Sequence, residues 1–224
     1  MAIHADLKNL FPKYDMHYGR RVVSIWEKDA NAKVNEVKWI NSDFDYIDTE
    51  IVKDLTSFFR LSQSHEIFHK DCDGIIVLEE NGKKYIFLSE LKSSFDTSDL
   101  YSAMHQIISS YIKINMVLHL LINYRNSDYI FKAFIISLPP QRDYISTLHK
   151  QLMLPSSSQF KVDADFSAEL YVHKKVKLKA TECEKLKGLQ LGSNCLFKDL
   201  EFYYIDVPHG QNSITLDALS YLQS

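Results

Sequence analysis

Glycine and proline are scarce in this sequence, and cysteine is rarer still. Only 6 glycines, 5 prolines and 3 cysteines occur among 224 residues, and the chain has no repeat period or low-complexity tract. Collagen-like, disordered and solenoid chains need compositions or periods that this sequence lacks. Hydrophobic residues make up 46% of the chain, which can bury a substantial core, most simply in one α/β domain.

Features of secreted and membrane proteins are also missing. The three cysteines form an odd set without Cys-x-x-Cys spacing, which predicts neither a disulfide framework nor a zinc ribbon and favours a reducing compartment. The amino terminus lacks the apolar core of a signal peptide, and the longest apolar run, around Met116 to Ile122, is interrupted by His119. We therefore expect a cytoplasmic protein that does not bind a membrane.

The chain has no excess of positive charge. Its formal net charge is -3, which is unusual for a protein that binds nucleic acid by simple electrostatic attraction. Acidic residues that bind a metal ion would contribute to that total, so the net charge does not exclude a nucleic acid as a partner.

A strong hairpin pattern lies between Lys70 and Lys92. Asn81-Gly82 tolerates the positive φ angles of a type I′ turn, and the flanking runs are rich in Ile, Val, Tyr and Phe. In the register of that turn, Asp73 lies opposite Glu90, and Lys92 lies two residues beyond Glu90 on the same face. Two carboxylates and one ammonium group should therefore converge at the open end of the hairpin.

Directly opposed carboxylates destabilise a pair of strands unless water or a cation separates them. Hard cations such as Mg²⁺ bind carboxylate oxygens, and a neighbouring lysine can hold a phosphate or help to polarise the attacking water. The alternative is a solvated hairpin end whose acids point into water. The pattern favours a metal site formed by Asp73 and Glu90, with Lys92 beside it.

Asp73 followed by Glu90-Leu91-Lys92 at the end of the next strand resembles the core of the PD-(D/E)XK nuclease superfamily. Cys72 stands where the motif has proline, and many members of the superfamily also have another residue in place of that proline. The resemblance covers the hairpin and its surroundings. It implies that Asp73, Glu90 and the backbone carbonyl of Leu91 bind Mg²⁺ or Mn²⁺, and that Lys92 assists hydrolysis of a phosphodiester.

Further site residues follow from the same resemblance. The family often adds one more acid from a preceding helix, for which Glu50 and Glu66 are the candidates. Some members carry a glutamine on the helix after the hairpin, which makes Gln106 a candidate ligand of water or phosphate. Glu50 is also favoured at a helix amino terminus by the helix dipole, and Glu66 also fits a loop acid.

Apolar periodicity predicts the surrounding elements. The order helix, strand, strand, helix, strand agrees with a restriction-endonuclease-like α/β core, a central mixed sheet flanked by helices, over residues 1–154. Residues 155–224 form an accessory region packed on the same domain. The predicted elements are helices over Glu50 to Leu61, Leu100 to Ile122, Arg142 to Leu152 and Thr215 to Leu222, and strands over Tyr129 to Leu138 and Phe202 to Val207.

Three lysines alternate with apolar residues in the accessory region. A strand there turns Lys175, Lys177 and Lys179 to one side, where they can contact phosphates along a nucleic acid. Lysines on an edge strand also prevent edge-to-edge aggregation and then need no ligand. Both interpretations remain open from the sequence.

The resulting hypothesis is a Mg²⁺-dependent endonuclease that acts on DNA. By analogy with the superfamily, its setting is anti-phage defence, restriction or repair, and it works as a homodimer or with a partner protein. The alternative is a non-catalytic nucleic-acid or protein interaction module that retains the fold. The intact Asp73, Glu90 and Lys92 favour the enzyme.

Overall fold

A computed structural model of the protein describes residues 3–62, 65–156, 158–187 and 189–222. Met1 and Ala2 of the predicted core, and Ser157, Gln223 and Ser224 of the predicted accessory region, are among the residues that lie outside the described ranges. The α-helices of the described part are α1 (Ile3–Leu10), α2 (Glu50–Phe59), α3 (His65–Phe68), α4 (Thr97–Leu118), α5 (Arg142–Leu152) and α6 (Gln159–His173).

The strands form one mixed sheet in the order β1-β2-β3-β4-β5-β7-β6, with β8 also paired to β2. The pairs β4-β5, β5-β7 and β2-β8 are parallel, and the other pairs are antiparallel. The α/β class with a helix-flanked mixed sheet is confirmed. The strands are β1 (His17–Trp26), β2 (Glu36–Ile47), β3 (Gly74–Glu80), β4 (Lys83–Lys92), β5 (Tyr129–Ser137), β6 (Lys175–Lys179), β7 (Asp199–Asp206) and β8 (Ser213–Asp217).

The β3–β4 hairpin has the predicted turn and register. Asn81 and Gly82 have φ angles of 52° and 75°, as both central residues of a type I′ turn require. Glu80 pairs with Lys83 next to the turn, and the same register continues along both strands. The chain before β3 is therefore held opposite the end of β4.

Helix α4 covers one face of the sheet. Asp96 caps the helix by accepting a hydrogen bond from the Asp99 backbone N–H at 2.9 Å. The apolar side of α4, including Ile107 and Ile108, packs in one core with residues of β3 and β4. The prediction that this helix reaches Ile122 is wrong, because α4 ends at Leu118 and Ile122 is 100% exposed.

The opposite face is covered by the first half of β2. Glu36–Ile40 pairs with β8, whereas Phe44–Ile47 pairs with β3, and Asn41 between them has a φ of 69°. The Trp39 ring packs 5.2 Å from Phe87 of β4 and 4.7 Å from Phe134 of β5, measured between ring centroids. These strands are not hydrogen-bonded to β2, so the first half of β2 crosses over the sheet and seals a second core.

The carboxyl-terminal region belongs to the same sheet. Strand β7 lies between β5 and β6, and β8 extends the pairing of β2. The helix predicted over Thr215 to Leu222 is wrong, because Ser213–Asp217 is a strand and only Ala218–Tyr221 forms a 3₁₀ turn. Helix α6 was not predicted from the sequence.

All three cysteines are free, and Cys72 and Cys183 are buried. Within the described residues, no helix is long and apolar enough to cross a lipid bilayer.

Candidate metal centre

The hairpin places Asp73 against the end of β4. The Asp73 backbone N–H donates to the Ser89 carbonyl at 3.0 Å, which ties Asp73 to the end of β4 just beyond the last register pair, Gly74 and Ser89. The Leu91 N–H then donates to Asp73 Oδ2 at 2.8 Å and fixes the carboxylate beside β4. The structure thus brings Asp73 and Glu90 together, as the sequence predicted.

Glu90 is the most deeply buried acid of the site. Its side chain is 1% exposed, and Oε1 lies 2.7 Å from Lys92 Nζ. The other oxygen, Oε2, is buried and has no hydrogen-bond partner among the described residues. Burial raises the pKa of Glu90 well above its usual range, the charge of Asp73 adds to this, and Lys92 opposes it.

Asp73 also titrates far from its ordinary range. Burial raises the pKa of Asp73 to about 7, although the hydrogen bond from Leu91 lowers it. The charge of Lys92 also lowers the Asp73 pKa, but burial outweighs both effects. Near neutral pH the Asp73 carboxyl group is therefore protonated in part unless a cation replaces the proton.

Lys92 is held on the same face by Gln106 of α4. The Lys92 ammonium donates to Gln106 Oε1 at 2.7 Å, and Gln106 Nε2 donates to the Asp71 carbonyl at 3.1 Å. Burial disfavours the charged lysine, but Glu90 and Asp73 outweigh it and raise the Lys92 pKa. The amide of Gln106, predicted as a ligand of water or phosphate, orients Lys92 in this structure.

A second buried lysine secures the loop before Asp73. Lys113 of α4 is 0% exposed, and its ammonium donates to Asp71 Oδ1 at 2.8 Å, Thr56 Oγ1 at 2.6 Å and the Phe68 carbonyl at 2.7 Å. Burial lowers the Lys113 pKa, and Asp71 opposes that effect. Sequence reasoning missed Lys113, although a lysine between isoleucines on the apolar face of a helix was a usable signal.

Glu27 is a second residue that sequence reasoning missed. It follows β1, and its charge raises the pKa of both Asp73 and Glu90. The end of β1 reaches the site because Ile25 packs directly over Gly74, where a Cβ would lie 2.3 Å from Ile25 Cδ1. No local pattern in the sequence predicts this approach.

The two acids predicted to join the site make ion pairs with lysines. Glu50 Oε1 lies 2.8 Å from Lys28 and 3.0 Å from Lys53. Glu66 Oε2 lies 3.7 Å from Lys185, and the Glu66 side chain is 74% exposed. Glu27 therefore acts on the pair more directly than either predicted candidate.

The lysine strand is β6, at the edge of the sheet. Its only strand partner in the described part of the chain is β7. Each ammonium group already has a carboxylate: Lys175 lies 3.1 Å from Glu201, Lys177 3.1 Å from Asp199, and Lys179 2.9 Å from Glu182. These contacts fit edge protection, because the charges are neutralised within the protein.

The donor set fits a hard divalent cation with few protein ligands. In the described residues, no group of three or more His, Cys, Asp or Glu side chains is arranged to hold a metal ion. Mg²⁺ commonly keeps several waters and uses only one or two carboxylates. Asp73 and Glu90, with the Leu91 carbonyl as the expected third donor, match that requirement, and a cation would satisfy the unpartnered Glu90 Oε2.

Comparison of this chain with protein families, with curated proteins and with solved structures found no match.

Proposed function

We propose that this protein is a metal-dependent nuclease of the PD-(D/E)XK type that hydrolyses phosphodiester bonds. The observation that carries the proposal is the unpartnered, buried Oε2 of Glu90 beside Asp73 and Lys92. A carboxylate oxygen buried without a partner is costly to the fold. A divalent cation bound at this position would give the oxygen a partner and would offset that cost.

The arrangement of elements supports the same proposal. Strands β3 and β4 form an antiparallel hairpin, α4 crosses over one face, and β5 returns parallel to β4. This order of strand, strand, helix and strand is the one that the superfamily resemblance implies for a restriction-endonuclease-like core. The acidic and basic groups lie where β4 ends, next to the crossover.

Asp73, Glu90 and the Leu91 carbonyl would hold the Mg²⁺ or Mn²⁺ ion. A cation bound there would act as a Lewis acid and would lower the pKa of a coordinated water. Hydrolysis joins the water oxygen to phosphorus, breaks the bond from phosphorus to one ester oxygen, and transfers a proton to the leaving oxygen. Lys92, oriented by Gln106, is placed to stabilise the negative charge that develops on the phosphate.

DNA is the proposed substrate, and cleavage within a strand is the proposed outcome. By analogy with the superfamily, the proposed setting is restriction, repair or defence against phage in the cytoplasm. A homodimer or a second protein of the same system is a candidate partner.

Purified protein should degrade plasmid or single-stranded DNA with Mg²⁺ or Mn²⁺ and stop when EDTA is added. Glu90→Gln and Asp73→Asn should abolish cleavage. Glu79→Gln is the matched control, because Glu79 is an exposed acid near the turn end of the same hairpin. Cleavage that persists in both site variants would contradict the proposed centre.

Metal binding is measured separately as the thermal shift caused by Mn²⁺. The melting temperature of the wild type and of Glu79→Gln should rise, whereas that of Glu90→Gln should not. A normal shift without cleavage of DNA or RNA would instead indicate a non-catalytic interaction module.

A further inference from the structure

A cavity of about 260 Å³ opens directly after Lys92. Its walls come from the segments that follow three strands: Ser93 and Phe95 after β4, Gln141 after β5, and His209 after β7. Parallel strands place their carboxyl ends at the same edge of a sheet, and ligands of α/β proteins bind at that edge. The cavity therefore lies beside the candidate centre, on the side where the strand of Lys92 ends.

The β1–β2 loop, residues 27–35, connects the cavity to the centre. The Lys33 backbone N–H donates to Ser93 Oγ at 2.9 Å and holds the loop against the residue after Lys92. The charge of Glu27, at the start of the same loop, raises the pKa of Asp73 and of Glu90. One loop thus contributes to both the cavity and the carboxylate pair.

The cavity has an aromatic wall of fixed orientation. Tyr144 lines it, and the Tyr144 hydroxyl lies 2.8 Å from Thr97 Oγ1. The Tyr144 ring also packs edge-on against Phe95, with 5.7 Å between ring centroids. A ring held in this way provides a surface for a planar group without losing further side-chain freedom.

Polar groups at the rim are free to contact a ligand. Lys33, Gln141 and His209 are exposed and line the cavity. Within the described ranges, the Lys33 ammonium has no acidic partner, in contrast to the three lysines of β6. An unpaired cation, an amide and an aromatic ring around one cavity are the groups that bind a phosphate and a base.

We propose that this cavity binds one unpaired nucleotide of the nucleic-acid strand, next to the phosphodiester that lies at the metal centre. Tyr144 contacts the base, and Lys33 contacts its phosphate. The assignment rests on the proposed nuclease function and narrows its substrate to strands with an unpaired nucleotide at that position. A volume of about 260 Å³ accommodates one base, and the Tyr144 ring can lie against a base only where that base is not stacked within a duplex.

The first experiment measures phosphate contact at Lys33. A short labelled single-stranded DNA is titrated in EDTA, which prevents cleavage, with wild type, Lys33→Gln and Lys83→Gln. Lys83 is the matched control, because it is an exposed lysine at the other end of β4. Lys33→Gln should reduce the slope of log affinity against log salt by about 0.7, as expected for one lost contact to a single strand. Equal slopes in the two variants would overturn the assignment of Lys33.

The second experiment measures base contact at Tyr144. Tyr144→Leu should lower affinity for the single strand by about fivefold or more, in the range of a lost base stack. Wild type and Tyr144→Leu should bind a strand of abasic sites equally, because no base remains to be contacted. A variant that weakens binding to the abasic strand as much as to the normal strand would refute the base contact.

Duplex and single-stranded DNA of the same sequence separate the substrate assignment from the proposed chemistry. Wild type should bind the single strand more tightly, and Lys33→Gln should reduce this preference. Cleavage with no such preference would agree with the proposed nuclease function but would refute the binding of an unpaired nucleotide in the cavity. Binding that depends on Lys33 and Tyr144, without cleavage, would support the cavity and refute the nuclease.

Discussion

The buried ammonium of Lys113 lies 2.8 Å from Asp71 Oδ1, two residues before Asp73. Asp71 also accepts a hydrogen bond from Gln106 through its backbone carbonyl, and Gln106 in turn holds Lys92. The Lys113–Asp71 pair therefore anchors the loop that carries one carboxylate and the glutamine that orients the ammonium. Both anchors come from α4, so the position of this helix determines the geometry of the site.

Lys113→Met should destabilise the protein strongly. Removal of the cation leaves the Asp71 carboxylate buried without its partner, which costs about 3–5 kcal/mol of unfolding free energy. The double variant Lys113→Met/Asp71→Leu should recover part of that loss, since no charge remains buried. Urea unfolding of the three proteins tests this, and a loss below about 1 kcal/mol in the single variant would contradict a tight buried pair.

Lys92→Ala should keep the fold and the Mn²⁺-induced thermal shift but lose cleavage by about 10²-fold or more, as for one preorganised electrostatic stabiliser. Lys92→Arg should not restore full activity, because a planar guanidinium cannot take the place of a compact ammonium between Glu90 and Gln106. Single-turnover cleavage and melting temperature are measured on the same samples. Normal cleavage with a lowered melting temperature would make Lys92 only a partner that neutralises Glu90.

The raised pKa of Asp73 predicts an unusual pH dependence. Its folded-state pKa of about 7 lies above the unfolded value of about 3.9, so the folded protein binds more protons between these values. Without metal, this group therefore lowers stability as pH rises from about 4 to about 7, by up to about 4 kcal/mol. Unfolding free energies in EDTA at pH 5 and pH 8 should show a larger fall for wild type than for Asp73→Asn. The same fall in both proteins would disprove the shift.

Glu27→Gln should move the pH dependence of metal binding. Loss of a neighbouring negative charge lowers the pKa of Asp73, so half-maximal Mn²⁺ binding should occur at a lower pH. At pH 8 the variant should bind Mn²⁺ more weakly, because one attracting charge is gone. Glu79→Gln is again the control. An unchanged pH midpoint in Glu27→Gln would show that Glu27 does not act on the carboxylate pair.

Replacing Lys175, Lys177 and Lys179 together with Gln should leave nucleic-acid affinity and its salt dependence unchanged, because each ammonium is already paired. The variant should instead self-associate through the unprotected edge of β6. Sedimentation and a salt titration of DNA binding measure both effects. A slope that falls by up to about 0.9 per lysine on duplex DNA would restore the phosphate-contact interpretation.

Local features of the molecule were predictable. The Asn81-Gly82 turn sets the register of its hairpin, since both residues accept positive φ, and the register brings Asp73 to Glu90 and Lys92. Helix α5 and strand β6 also occupy the predicted residues, because apolar periodicity and alternation are encoded over a few neighbours.

Failures of prediction occur where distant segments decide the outcome. Thr215–Asp217 was predicted as helix but pairs with β2, a strand more than 170 residues earlier in the chain. Phe58 follows Leu55 at helical spacing and so fits the apolar periodicity of α2, yet it is 73% exposed. Local periodicity carries no information about which surface will cover a segment, so these positions follow from packing.

The sequence by itself determined the hairpin, the pairing of the two carboxylates and the side on which Lys92 lies, because all of these follow from one turn and a period of two. Only the tertiary structure decided that Glu27 raises the pKa of the two carboxyl groups. It also decided that Lys113 anchors the loop of Asp73 through Asp71, and that Gln106 orients Lys92. Those contacts join residues that are distant in the chain. Lys92 and Gln106 are 14 residues apart, and Thr56 and Lys113 are 57 residues apart. They form because buried charges and amides must find partners once the sheet and α4 have closed over them.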